Sequence, residues 1–246
     1  MFNSVRAEFR KLYSVRSTYV LTAVILALAV VLIGFWIYGY KNAGHTELNV
    51  DVIREMLYNA AAPAGLFAGI IAILAFGHEY RYNTILYGLT NVNHRTKLFF
   101  GKLVALLIFG VVLCSVVMGL GIAAFYLGQN LNHVTALKQT MPDAAFIGRL
   151  FATMLGFISF GFVIAALLRS LVGAIVVFLM LPTLAEQLLT LLLKDNIKYL
   201  PFTALGNVAS TSPGGLNATQ SLWVVIGYVV GAGLLAYILF LRRDAN

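Results

Sequence analysis

Charge is scarce in this sequence. Only 11% of its 246 residues are Asp, Glu, Lys or Arg, and 61% are hydrophobic; soluble domains carry about 25% charged residues. That combination excludes a water-soluble fold and marks an integral membrane protein. Cysteine is scarcer still. Cys114 stands alone, so no internal disulfide can form, and it reads as a small core residue within a span. The usual signatures of chemistry are also missing. There is no GxxxxGK[ST] loop, so the chain does not bind ATP by that route; His78-Glu79 lacks the second histidine of HExxH, and no GxSxG elbow occurs. The four histidines, His45, His78, His94 and His133, fall in loops on both sides of the expected bundle and cannot share one metal. The chain is therefore not read as an enzyme, and no metal or cofactor site is expected in it. No cleavable signal is read either, because the first apolar run is too long for a signal core.

What the chain has instead is long apolar runs. A helix needs about 20 such residues to cross the hydrocarbon core. Six stretches qualify: Tyr19–Tyr40, Ala60–Phe76, Leu103–Leu127, Leu150–Leu168, Leu171–Leu193 and Leu222–Leu241. They are continuous and do not alternate, which favours helices over barrel strands. The expected fold is all-α: one membrane domain, residues 1–246, with six transmembrane helices. No internal repeat is evident, which weakens an inverted-repeat carrier.

Basic residues set the orientation. With the N-terminus inside, the inner segments hold eleven of the 17 Lys and Arg, from Arg6 to Arg243, and the outer segments hold six. The positive-inside rule favours this arrangement, with both termini cytosolic. The net charge of +8 then collects almost wholly on the inner face, a topology signal that calls for anionic headgroups and not for nucleic acid. Residues 1–17 carry Phe2, Val5, Phe9, Leu12 and Tyr13 at helical spacing, with Asn3, Arg6, Arg10 and Ser14 on the other side. That pattern predicts a helix lying in the inner interface.

Polar loops punctuate the rest. Asp51–Tyr58 is expected as a short outer helix, and only Arg169-Ser170 joins the fourth and fifth spans. The outer segment Lys194–Ser221 is half apolar, which predicts one or two short helices dipping into the outer interface before the turn at Ser212-Pro213-Gly214-Gly215. The sequon Asn217-Ala218-Thr219 is read as chance. Gly227 and Gly231 form a GxxxG in the sixth span, read as close helix contact within the bundle.

Two places could carry function. Glu186 is the one ionisable residue well inside a span, about 12 Å from the outer end of its helix at ~1.5 Å per residue. It is either a functional carboxyl or a structural hydrogen-bond acceptor. Pro182, one turn earlier, should kink that helix, so Pro182, Glu186 and Gln187 are candidates for a pathway wall. The second place is the interval from Gly77 to Lys102, far longer than a connector between antiparallel spans requires. Tyr82, Ile85, Leu86, Leu89 and Val92 form an apolar stripe, Asn91-Val92-Asn93 interrupts it, and Asn93 can cap a helix leading to Lys102. Two short helices in a cytosolic elbow, serving as a docking surface, are expected there.

These residues resemble a known family. Arg6-Ala7-Glu8-Phe9-Arg10-Lys11-Leu12, followed by Val15-Arg16-Ser17-Thr18, is similar to the basic "ExxKLxxxRS" N-terminal helix of ABC-2-type transporter permeases, the small six-span kind without a fused ATPase. Glu79-Tyr80-Arg81-Tyr82-Asn83-Thr84, with Arg95 and Gly101-Lys102 downstream, resembles the family's "ExRxGT…R…GK" cytosolic loop. Leu241-Arg242-Arg243-Asp244-Ala245 resembles its "RRD" exit. Asn83 stands where the family pattern has glycine, and Asn93-His94 precedes Arg95 where a proline is usual. The resemblance implies an exporter in the plasma membrane. It further implies a second permease copy or a homologous permease, two cytosolic ATPase subunits that bind ATP and Mg, and membrane lipids around the spans. Glu79, Arg81, Asn83, Thr84 and Arg95 would form the ATPase-coupling loop, residues 1–17 the elbow helix, and Lys194–Ser221 the outer cap. Two other readings are a proton- or ion-coupled carrier using Glu186 and a non-transporting scaffold or immunity component. The apolar spans suit a hydrophobic or amphipathic substrate.

Overall fold

Apolar runs of this length can satisfy their backbone groups in lipid only as helices or closed barrels, and helices are what form. The structure, a computed structural model, describes residues 2–42, 50–82, 95–132, 142–209 and 215–242. Its helices are α1 (Phe2–Ser14), α2 (Arg16–Asn42), α3 (Val50–Arg81), α4 (Arg95–Asn132), α5 (Ala144–Leu168), α6 (Leu171–Met180), α7 (Glu186–Leu193), α8 (Pro201–Ala209) and α9 (Ala218–Arg242). A π-helical stretch, Leu181–Ala185, joins α6 to α7, and a 3-10 stretch, Lys194–Tyr199, leads towards α8. Among the described residues six helices are long and apolar enough to cross a membrane: α2, α3, α4, α5, the continuous α6–α7 and α9.

α3 and α4 outrun the expected spans. Their 32 and 38 residues extend about 48 and 57 Å at ~1.5 Å per residue, well beyond a hydrocarbon core of ~30 Å. Asp51–Tyr58, expected as a separate helix, forms the first turns of α3. Gly77–Arg81 is the last turn of α3, and Arg95–Lys102 opens α4. The two ends of the interval Gly77 to Lys102 thus belong to the long helices, which leaves between them the connection 82–94. Of it Tyr82 alone is described; Asn83, Thr84, the rest of the apolar stripe and Asn91–Asn93 lie outside the described residues. Hydropathy marks where lipid must be, but a helix runs on into polar sequence until something stops it.

α3 and α5 form the centre. About two thirds of each apolar window is buried, 61% and 67%, against 11% for α6–α7 and 17% for α2 and for α9. Their axes approach closely because glycine faces glycine. A Cβ on Gly161 would lie 2.3 Å from the Gly69 carbonyl oxygen, and one on Gly65 2.8 Å from the Phe157 ring. The small-residue contact is therefore the pair Gly65–Gly69 on α3. Gly227 and Gly231, expected to make it, meet nothing within 4 Å. They lie on a helix that touches the core along only a narrow stripe, where Val225, Ala236 and Phe240 are buried.

Arg169 and Ser170 alone join α5 to α6. Arg169 adopts left-handed geometry (φ 51°) and its N–H closes the α5 end on the Ala165 carbonyl, while the Ser170 hydroxyl accepts from the Gly173 N–H. At the opposite face the chain turns back inward after Leu193. α8 packs against the bundle: Phe202, Ala204, Leu205 and Val208 are buried, and the Phe202 ring contacts Phe157, Phe160 and Phe178 at 5.0–6.0 Å. The segment after α7 therefore packs back into the bundle through α8.

Candidate functional site

α1 packs chiefly on α4, and its seam is polar. Ser4, Glu8 and Leu12, spaced four apart, face the protein and are buried, whereas Phe9 is half-buried and Tyr13 is 56% exposed. The apolar stripe read from the sequence thus divides: Leu12 packs inward, Val5 and Phe9 lie at the edge, and Tyr13 turns outward. The reason is the receiving surface. Gly101 on α4 leaves no room for a side chain beside Ser4, whose hydroxyl donates to the Lys97 carbonyl at 3.1 Å.

Behind Ser4 lies a cluster of four charges. Lys102 donates to Glu8 Oε2 at 2.5 Å, to Glu79 Oε1 at 2.9 Å and to the Ala75 carbonyl at 3.3 Å. All three of its donors are used. Lys11 donates to Glu8 Oε1 at 2.7 Å and to Glu79 Oε1 at 2.8 Å. Glu8, Glu79 and Lys102 are buried, and only Lys11 reaches solvent, its side chain 48% exposed. Burial alone would lower the Lys11 pKa; the hydrogen bonds and negative charges of Glu79 and Glu8 outweigh it and hold it above the ordinary lysine value. Two carboxylates and two ammonium groups balance, which is what allows them to be buried together. The cluster ties α1 to the connected ends of α3 and α4.

Nearby arginines close the end of α9. Arg95 donates to the Leu241 carbonyl at 3.0 Å and Arg169 to the Leu239 carbonyl at 3.2 Å, with the Arg169 guanidinium 5.2 Å from the centre of the Tyr80 ring. Cations at a helix C-terminus meet its free carbonyls and its dipole. Arg81 is exposed at the tip of α3, 5.7 Å from the Tyr82 ring.

The expected coupling residues therefore divide. Glu79 and Arg95 are structural ties on one face of the bundle, Arg81 is open at that face, and Asn83 and Thr84 lie outside the described residues. Glu8, Lys11 and Lys102 were not singled out from the sequence as site residues. The available signal was that charges so rare in the chain recur near the ends of helices sharing one face.

Glu186 has a different job. Its carboxylate accepts the Phe202 and Thr203 backbone N–H groups, both at 2.7 Å, and the Thr203 hydroxyl at 2.6 Å. α8 starts with Pro201, which has no N–H, and the Ala204 N–H reaches the Leu200 carbonyl at 2.7 Å. Every orphan donor in the first turn of α8 is thus satisfied, two of them by Glu186. Pro182 sits in the π-helical stretch, where the Glu186 N–H bonds back to the Leu181 carbonyl. Gln187 is exposed on the outside of the span, away from Glu186.

No curated protein matches the chain. A family described as "Protein of unknown function (DUF2705)" matches residues 35–245. That match takes in Glu79, Lys102 and Glu186 and leaves α1 outside. Covering most of the chain, it shows that the chain belongs to the DUF2705 family.

Proposed function

We propose that the chain is the membrane-spanning subunit of an ABC-2-type exporter, driven by separate cytosolic ATPase subunits that dock where α3 and α4 are connected. The observation that carries this reading is the convergence of motifs. Glu8 and Lys11 from the N-terminal motif, and Glu79 and Lys102 from the loop motif, meet in one buried ion cluster. Arg95 of the same loop ties in the end of α9 beside the "RRD" exit. A push on the 82–94 connection would reach α1, α3, α4 and α9 together, as force transmission requires.

In this reading α1 is an interfacial elbow helix. Its polar seam faces the protein, Phe9 and Tyr13 meet lipid, and Arg6 and Arg10, both exposed, meet headgroups. Both termini are cytosolic, a second copy completes the transporter, and the plasma membrane is its site. The substrate is hydrophobic or amphipathic, because the strongest polar mark within the spans, Glu186, is spent on capping α8. That geometry lends nothing to a carrier built on Glu186.

The test is purification of the tagged chain from its native membranes. An ATPase with a nucleotide-binding loop should accompany it, identified by mass spectrometry and by ATP hydrolysis, and Arg81→Glu should release that ATPase while leaving the chain folded. A folded chain that carries no ATPase would sink the proposal. An accompanying ATPase whose turnover never responds to any amphiphile in a compound panel would favour the non-transporting scaffold.

A further inference from the structure

A crevice of about 690 Å³ opens between α1, the first turn of α2 and the packed ends of α3 and α4. Ligand sites fall in the range of about 300–1,000 Å³. Its walls are of two kinds. Leu12, Leu74, Leu98, Ala105 and Leu106 make an apolar side that reaches into the span, while Lys11, Ser14, Arg16 and Ser17 make a polar mouth. From Leu74 to Tyr82, both on its lining, the crevice follows α3 for about 12 Å at ~1.5 Å per residue.

Three features of the mouth call for an anion. The Ser17 hydroxyl is buried without a hydrogen-bond partner. α2 begins at Arg16 after Val15, and valine cannot cap a helix with its side chain, so the first-turn N–H groups of Arg16 and Ser17 have no intrahelical acceptor. Glu8, Glu79, Lys11 and Lys102 balance one another, so Arg16 decides the sign of the remaining field. A free phosphate would satisfy the mouth but leave the apolar wall empty. A neutral lipid tail would fill the wall but leave the Ser17 hydroxyl and the N–H groups unpaired.

We infer that this crevice holds one anionic phospholipid, its phosphate at the first turn of α2 beside Lys11, Arg16 and Ser17 and an acyl chain against Leu74, Ala105 and Leu106. Bound there, the lipid wedges the α1–α2 junction against the ion cluster. The inference is independent of any ATPase, so it can fail while the transport reading stands, and the reverse.

The experiment is native mass spectrometry of the full chain released from nanodiscs of equal phosphatidylglycerol and phosphatidylcholine. The expected result is one phosphatidylglycerol retained in preference to phosphatidylcholine. Arg16→Gln should weaken retention about fivefold, the effect of one basic residue near an anionic headgroup, and Ser17→Ala should weaken it as well. Arg10→Gln, on the exposed side of α1 and away from the crevice, should leave it unchanged. Circular dichroism of each variant confirms that the helices are intact. Equal retention of both lipids, equal loss in Arg10→Gln and Arg16→Gln, or displacement of the lipid by inorganic phosphate alone would overturn the inference.

Discussion

At the scale of single residues, the buried charges Glu8, Glu79, Lys102 and Glu186 are all committed to partners. Lys102 illustrates the energetics. Removing it leaves Glu8 and Glu79 buried with only the half-exposed Lys11 between them. Breaking a buried ion pair from one side costs about 3–5 kcal/mol, and Lys102→Met should lose that much in SDS-titrated unfolding. The double variant Lys102→Met with Glu79→Met should recover most of it, and a single-variant loss below about 1 kcal/mol would argue that water reaches the cluster. Glu186→Gln is milder. One amide nitrogen would face a backbone N–H where an oxygen stood, a cost of about 1–3 kcal/mol. Hydrogen exchange should rise at Phe202 and Thr203 and stay unchanged in α5. The residue types at these sites were legible in the sequence, because carboxylates are so rare there. Their partners were not: Glu8 lies 94 positions from Lys102, and Glu186 lies 16 positions from Phe202.

At the scale of elements, helix existence followed from apolar runs, but helix ends and faces did not. α3 and α4 continue through polar sequence that hydropathy assigns to loops. α1 shows the same limit. Its apolar periodicity predicted a helix, yet the face it turns to the bundle is Ser4–Glu8–Leu12, because the surface that receives it supplies a glycine and buried charges. The fit at Gly101 is close: a Cβ there would lie 2.6 Å from Ser4 Oγ. Gly101→Leu should therefore push α1 off α4. The expected signature is trypsin cleavage within α1 and at Arg16 while the spans stay folded, and unchanged resistance to cleavage would show that α1 is held elsewhere. Pro182 was expected to kink its helix. The element it produces is a π-helical turn that widens the helix just before Glu186, which only the position of α8 makes intelligible.

At the scale of the whole molecule, α3 and α5 are the axis on which the other spans hang. Gly161→Leu would drive a side chain into the Gly69 backbone, which cannot swing aside as a side chain can. Overpacking of this kind costs about 1–3 kcal/mol or more, so the variant should melt well below the parent in detergent. Gly227→Leu meets open space and should melt like the parent. The proposed orientation has its own check in a Cys114→Ala background. A thiol from Ser14→Cys should react with an impermeant maleimide only from the cytosolic side, and one from Asn196→Cys only from outside. Both positions are exposed, so labelling from the reverse sides would invert the topology and remove the proposed ATPase-docking face from the cytosol.

The sequence by itself determined that the chain is helical, that it has six stretches able to cross a membrane, and which rare polar residues stand out among them. Those follow from composition and local spacing, because lipid penalises every unpaired backbone group and every unpaired charge. Only the tertiary structure decided what those polar residues do. It gathered Glu8, Lys11, Glu79 and Lys102 into one neutral cluster, gave Glu186 to the first turn of α8, and moved the close glycine contact from α9 to α3. Partnership between charges far apart in sequence depends on which helix faces meet, and helices meet through the shapes of both surfaces, which no single stretch of sequence contains.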